Sequence, residues 1–171
     1  MRKLKDFKGF YETLIETTKS QKDQMYWEVI KYSASFFKLL CDILVDKRTD
    51  WHTKLVINSA LAYFVVPNDV IPEDEYGAIG YVDDVFVCAY VLRIIKTEFS
   101  DKVLKDNWNE KGDISEIVDE VFLKSKKIVG KKYNEILIFS GLRNRSLIEV
   151  EEADGEALSE LVKKAKGVKI Y

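Results

Sequence analysis

Apolar residues recur at helical spacing along most of this chain. Phe7, Phe10, Tyr11, Leu14, Ile15 and Thr18 share one stripe, with Lys8, Glu12, Glu16 and Lys19 on the rest, which predicts an amphipathic helix. After the polar break Ser20-Gln-Lys-Asp23, Tyr26, Val29, Ile30, Ser33, Phe36, Phe37, Leu40 and Leu44 predict a second helix over 24–45. Asp46-Lys-Arg-Thr-Asp50 ends it and offers Thr49 or Asp50 as the cap of the next one. That next helix, 51–66, is apolar nearly all round from Leu55 onward and stops at Pro67. A fourth helix, from Asp83 or Asp84 to about Phe99, is equally unfaced. Helices without a polar side belong in the middle of a bundle, so these two form its buried hairpin.

Between them, Pro67 and Pro72 rule out a continuous helix. Residues 100–112 read as a polar connection anchored by Trp108, and Asp113-x-x-Glu116 reads as a capping box. Ile114, Ile117, Val118, Val121, Phe122, Ser125, Ile128 and Val129 then fit one helical face, with Gly130 as the stop. Residues 135–139 fit a strand or a helix, with helix preferred. Residues 147–150 and 168–171 are strand-like around a helix over 155–166, a pattern that allows a small two-stranded parallel element near the C-terminus. The expected fold is a mainly α helical bundle, one domain over 1–171, with its hairpin core at 55–95.

Charge narrows the function classes. Lys and Arg number 27 against 29 Asp and Glu, a net charge of -2, so a general electrostatic footprint for nucleic acid is absent. Lys124, Lys126, Lys127, Lys131 and Lys132 cluster at the end of the helix over 114–129, where the macrodipole favours cations, and are expected to be a solvated face. The two most apolar stretches, 55–66 and 85–95, fall short of the about 20 residues needed to span a bilayer. Together with a charged N-terminus lacking an apolar leader segment, this predicts a cytoplasmic protein without stable membrane insertion. Cys41 and Cys88 lie in apolar runs and are expected to be reduced core thiols. With His52 the only histidine, a zinc site of the usual kind is not expected.

Chemistry concentrates between the two apolar helices, where Asp69, Glu73, Asp74, Glu75, Asp83 and Asp84 cluster. Closing the hairpin brings Asp69 toward Asp83 and Asp84. Converging carboxylates repel unless a cation or backbone donors offset the repulsion. Hard divalent cations such as Mg²⁺ or Ca²⁺ take oxygen ligands of this kind, which makes Asp69, Asp83 and Asp84 candidate metal ligands. The architectural alternative assigns Asp83 or Asp84 to a helix start and Asp69 to an Asx-type turn.

These residues also carry a resemblance. Ala60-Leu-Ala-Tyr-Phe-Val-Val-Pro67-Asn-Asp69-Val-Ile-Pro72 followed by Gly80-Tyr-Val-Asp83-Asp84 resembles the signature of the YkvA-like family of uncharacterised prokaryotic proteins. Pro67, Asp69, Ile71, Pro72, Gly80, Tyr81, Asp83 and Asp84 agree with it in type and order, over roughly residues 55–95. Residues 74–78 depart from it, being more polar than is usual there. The resemblance implies a helical hairpin domain, found alone or within larger proteins of which some are membrane-embedded. It implies no general activity, and no catalytic residue carries over.

Three function classes follow. The first is a non-enzymatic accessory or interaction protein, with no cofactor, meeting a protein partner or forming a homodimer through its outer helices. The apolar surface widened by Trp27, Tyr32 and Phe36 or Phe37 is the motive for self-association. The second is a divalent-cation or small-ligand binding protein using the acids of 69–84. The third is a metal-dependent hydrolase built on the same acids.

Overall fold

The computed structural model describes residues 26–65, 70 and 80–143. All regular structure among them is helical. A single turn, α1 (Trp27–Ile30), leads into α2 (Ser33–Val45), and α3 (Trp51–Val65) and α4 (Tyr81–Ile94) follow. The chain continues from α4 through a π-helical turn (Ile95–Ser100) directly into α5 (Asp101–Asp106). Then come α6 (Ile114–Val129), a 3₁₀ turn (Gly130–Lys132) and α7 (Tyr133–Phe139). Residues 135–139 are thus helical, as preferred. The expected helix over 7–18 and the two strand-like segments at 147–150 and 168–171 lie outside the described residues.

The centre of the bundle is α4. Every residue from Val82 to Leu92 is buried, and so is Ile94. It packs against α6, α3, α2, α1 and α7. A helix surrounded on this many sides needs apolar residues at every rotation, and its sequence supplies them. Its aromatic contacts run toward α6, where Phe86 stacks on Phe122 with ring centroids 5.6 Å apart. From α3, Ile57, Ala60, Leu61 and Phe64 enter the same core, and Phe64 meets the edge of Phe37 from α2 at 5.2 Å.

Boundaries follow local chemistry. The helix expected over 24–45 is interrupted at Lys31 and Tyr32, because the buried Ser33 hydroxyl donates to the Ile30 carbonyl at 2.6 Å. That bond competes for a carbonyl the continuous helix would use. The α2–α3 turn is closed by the Thr49 hydroxyl donating to the Ile43 carbonyl at 2.6 Å. Arg48 bridges Asp46 and Asp106 at 2.7 Å each, and Asn107 donates to Asp46 at 2.9 Å, tying this turn to the end of α5. Hydrogen bonds from Arg48 and then Asn107 hold the Asp46 carboxyl below the usual carboxylate range. Asp113 caps α6 by accepting from the Ser115 N–H at 2.8 Å, and Gly130, at φ 53°, ends it. A positive φ is open to glycine at no steric cost.

The expected polar connection over 100–112 contains α5. Ser100 caps it by accepting from the Val103 N–H at 3.2 Å, and Asp101–Lys105 and Lys102–Asp106 pairs, at 2.7 and 2.9 Å, line its surface. Trp108 is partly buried against the core, as its anchoring role requires. Cys41 and Cys88 are free thiols, half-buried and buried; burial pushes Cys41 up to about 11 and Cys88 well above its ordinary value.

Candidate functional site

The signature acids lie at the α3–α4 end of the bundle. Gly80 precedes α4, and Asp83 and Asp84 fall within its first turn. Neither is a cap in front of the helix. Both are fully buried. The reason lies on α3, where Tyr63, two residues short of that helix's end, is buried and donates its hydroxyl to Asp83 Oδ2 at 2.5 Å. The same hydroxyl oxygen accepts from the Val70 N–H at 3.3 Å. Asp83 Oδ1 accepts from the Asp84 N–H at 3.1 Å. One phenol therefore joins the end of α3, the start of α4 and the residue following Asp69. Asp69 itself lies outside the described residues.

Electrostatics keep the Tyr63 hydroxyl protonated. Burial, then the charge of Asp83, its hydrogen bond and the charge of Asp84 push the Tyr63 phenol far above its ordinary value. It remains a donor throughout the physiological range. Its ring is covered by Phe139 of α7, which meets it edge-on at 5.8 Å with an interplanar angle of 84°. The geometry can fasten two helices. No cluster of three or more metal-ligating side chains capable of holding an ion exists among the described residues, a set that excludes Asp69.

The other candidates disperse. Two of the lysines at the end of α6 engage their own helix and its neighbour: Lys124 pairs with Glu120 at 2.5 Å, and Lys126 lies over the Phe122 and Tyr133 rings at 5.7 and 4.9 Å. Phe36 and Phe37 are buried, so of the aromatics expected to widen an outer surface only Trp27 and Tyr32 remain partly exposed. Among the described residues, the large apolar side chains left most exposed are Val45 and Trp51, at 77% and 68%, on either side of the α2–α3 turn. His52 is exposed at the start of α3, on a cleft at the opposite end of that helix from Tyr63.

Residues 53–90, which include Tyr63, Asp83 and Asp84, match the model of a family described as protein of unknown function (DUF1232). YkvA of Bacillus subtilis (strain 168), named as an uncharacterized membrane protein, is 33% identical over 73 residues, covering 42% of this chain and 68% of that protein. This chain belongs to the YkvA-like family. A further relative, the uncharacterized protein ORF9 of Methanothermobacter thermautotrophicus, is 26% identical over 129 residues, or 75% of this chain and 88% of that one. No solved structure matches significantly.

The family signature spans the Tyr63–Asp83 contact. The sequence pattern marked Asp83 and missed its partner, because a tyrosine inside a helix apolar on all sides reads as packing. The usable signal was its distance from Pro67: a hydroxyl-bearing residue one helical turn before the turn that delivers the acids. No described helix is long and apolar enough to cross a membrane.

Proposed function

We propose that this YkvA-like protein is a non-enzymatic accessory or interaction protein, whose signature acids hold the hairpin closed while the outside of the bundle meets a protein partner or a second copy. The observation that carries this reading is the Tyr63–Asp83 bond: both side chains are buried, and the carboxylate is occupied in joining α3 to α4. Val45 and Trp51 supply exposed apolar contact area beside one turn. Light scattering separates the two kinds of partner, giving a dimer mass for a second copy and a monomer mass otherwise. The two free thiols support a cytoplasmic location. The B. subtilis relative's name places that protein at a membrane; for this chain the proposal is a bundle without stable membrane insertion.

The second reading is a divalent-cation protein in which Asp69, Asp83 and Asp84 bind Mg²⁺ or Ca²⁺. Adjacent buried carboxylates at Asp83 and Asp84 favour it, since a cation offsets their repulsion. Thermal unfolding with chelator or millimolar cation decides between them. Under the first reading the cation has no effect. Asp83→Asn is then mild, because the amide oxygen still accepts from Tyr63, and Asp83→Ala costs about 1.5–3 kcal/mol. A bound ion instead stabilises wild type by about 2.7 kcal/mol at a hundredfold excess over its dissociation constant. Such a rise, lost in Asp69→Asn and Asp83→Asn, overturns the first reading.

A further inference from the structure

A cleft of about 350 Å³ opens where the start of α3 meets the end of α4 and its π-helical turn. At 1.5 Å of rise per residue its rim at His52 lies about 17 Å along α3 from Tyr63, and neither Tyr63, Asp83 nor Asp84 lines it, so it is separate from the signature site. Its floor is apolar, with Val56, Ile95 and Phe99, and its rim carries Asp50, His52 and Glu98. Its volume falls at the small end of the range of small-molecule sites, and its apolar floor carries a few polar groups. The wall formed by Ile95–Ser100 is a π-helical turn, a distortion that concentrates at functional positions.

The charges select the ligand. Asp50 caps α3 by accepting from the Thr53 N–H at 2.8 Å, and that bond keeps its carboxyl below the ordinary value. The helix N-terminus contributes about half a positive charge, which the Asp50 carboxylate more than cancels. Glu98 adds a second anion, is exposed, and makes no ion pair among the described residues. The cations nearest it in sequence are committed elsewhere, Lys96 to Asp119 at 2.5 Å and Lys102 to Asp106 at 2.9 Å. The lining contains no lysine or arginine. Asp50, His52 and Glu98 do not converge tightly enough to hold a metal ion.

We propose that this cleft binds a small organic cation, a primary ammonium group seated between Glu98 and Asp50 with an apolar chain along Val56, Ile95 and Phe99. An extended ligand offers a charge to the acidic rim and a chain to the apolar floor, which a bare ion cannot. The test is a two-dimensional amide NMR titration of the full chain with n-hexylammonium chloride, and in parallel with n-hexanol and with sodium hexanoate. Saturable shifts are expected for hexylammonium, confined to residues 50–56 and 94–99. Hexanoate is expected not to bind, and hexanol to bind about tenfold more weakly, the scale of one charge-assisted hydrogen bond. Glu98→Gln, an exposed substitution that keeps the melting temperature, is expected to weaken hexylammonium by about the same factor. Equal binding of hexanol or hexanoate, an unchanged affinity in Glu98→Gln, or shifts spread over other surfaces overturns the proposal.

Discussion

Removing one oxygen tests the role of the signature acids. Tyr63→Phe keeps the ring, its edge contact with Phe139 and its place in the core, and deletes only the hydroxyl that donates to Asp83. A hydrogen bond to a charged group contributes about 1.5–3 kcal/mol. Asp83 is fully buried, so water does not replace the lost donor without rearrangement. The Val70 N–H loses its acceptor as well, at a longer 3.3 Å that adds little. The expected loss is about 2–3 kcal/mol, which in a protein of this size lowers the melting temperature by roughly 5–10 °C. Urea unfolding followed by circular dichroism measures it, and the midpoint is expected to move without a change in slope. A double-mutant cycle with Asp83→Ala should show coupling above about 1 kcal/mol, since each single change removes the bond between the two groups. A loss below about 0.5 kcal/mol with no coupling would mean that the signature aspartate does not hold the hairpin, and would falsify the architectural assignment.

Two further outcomes are expected. Asp113→Ala removes the α6 cap on the Ser115 N–H and should cost about 1 kcal/mol by chemical denaturation, with Asp113→Asn close to wild type. In alkaline solution the unfolded chain releases the Tyr63 proton near its ordinary value of about 10, while the folded chain retains it well above that. The folded state then binds more protons, so its stability is full below pH 10 and falls above it by up to about 1.4 kcal/mol per pH unit from this group. Cys41 and Cys88 contribute in the same direction, so the measured quantity is the difference in slope between wild type and Tyr63→Phe. Parallel slopes would contradict the assignment.

How much the pattern revealed depended on whether a signal was local. Asp113 and Gly130 bracket α6 because a cap and a positive φ are properties of one or two residues, and both were legible. The burial of α4 was legible too, since apolar residues all round a helix have no other place to go, whereas α3, expected to be equally covered, keeps a face open at Asn58 and Ala62. The break at Lys31 and Tyr32 was not, because it turns on which carbonyl the Ser33 hydroxyl chooses. Helix α5 was readable in principle from Ser100 and the four-residue spacing of Asp101–Lys105 and Lys102–Asp106, but its polarity resembles that of a loop. The aspartates were recognised as a group, yet placing Asp83 inward rather than at a cap requires knowing that Tyr63 faces it across the hairpin.

That inward placement answers a problem the hairpin creates for itself. Helix α4 is buried on nearly every side, so apolar burial alone favours many of its rotations and slides against α3 almost equally. A slide of one helical turn, about 5.4 Å, replaces one apolar neighbour by another at small cost. It also pulls Tyr63 off Asp83, and a buried charge deprived of its donor is penalised by several kcal/mol. Only one rotation and one slide give the 2.5 Å contact, and in that register the Tyr63 hydroxyl also receives the Val70 N–H from the connecting turn. Apolar burial drives the two helices together, and the buried phenol–carboxylate pair selects the register in which they stop.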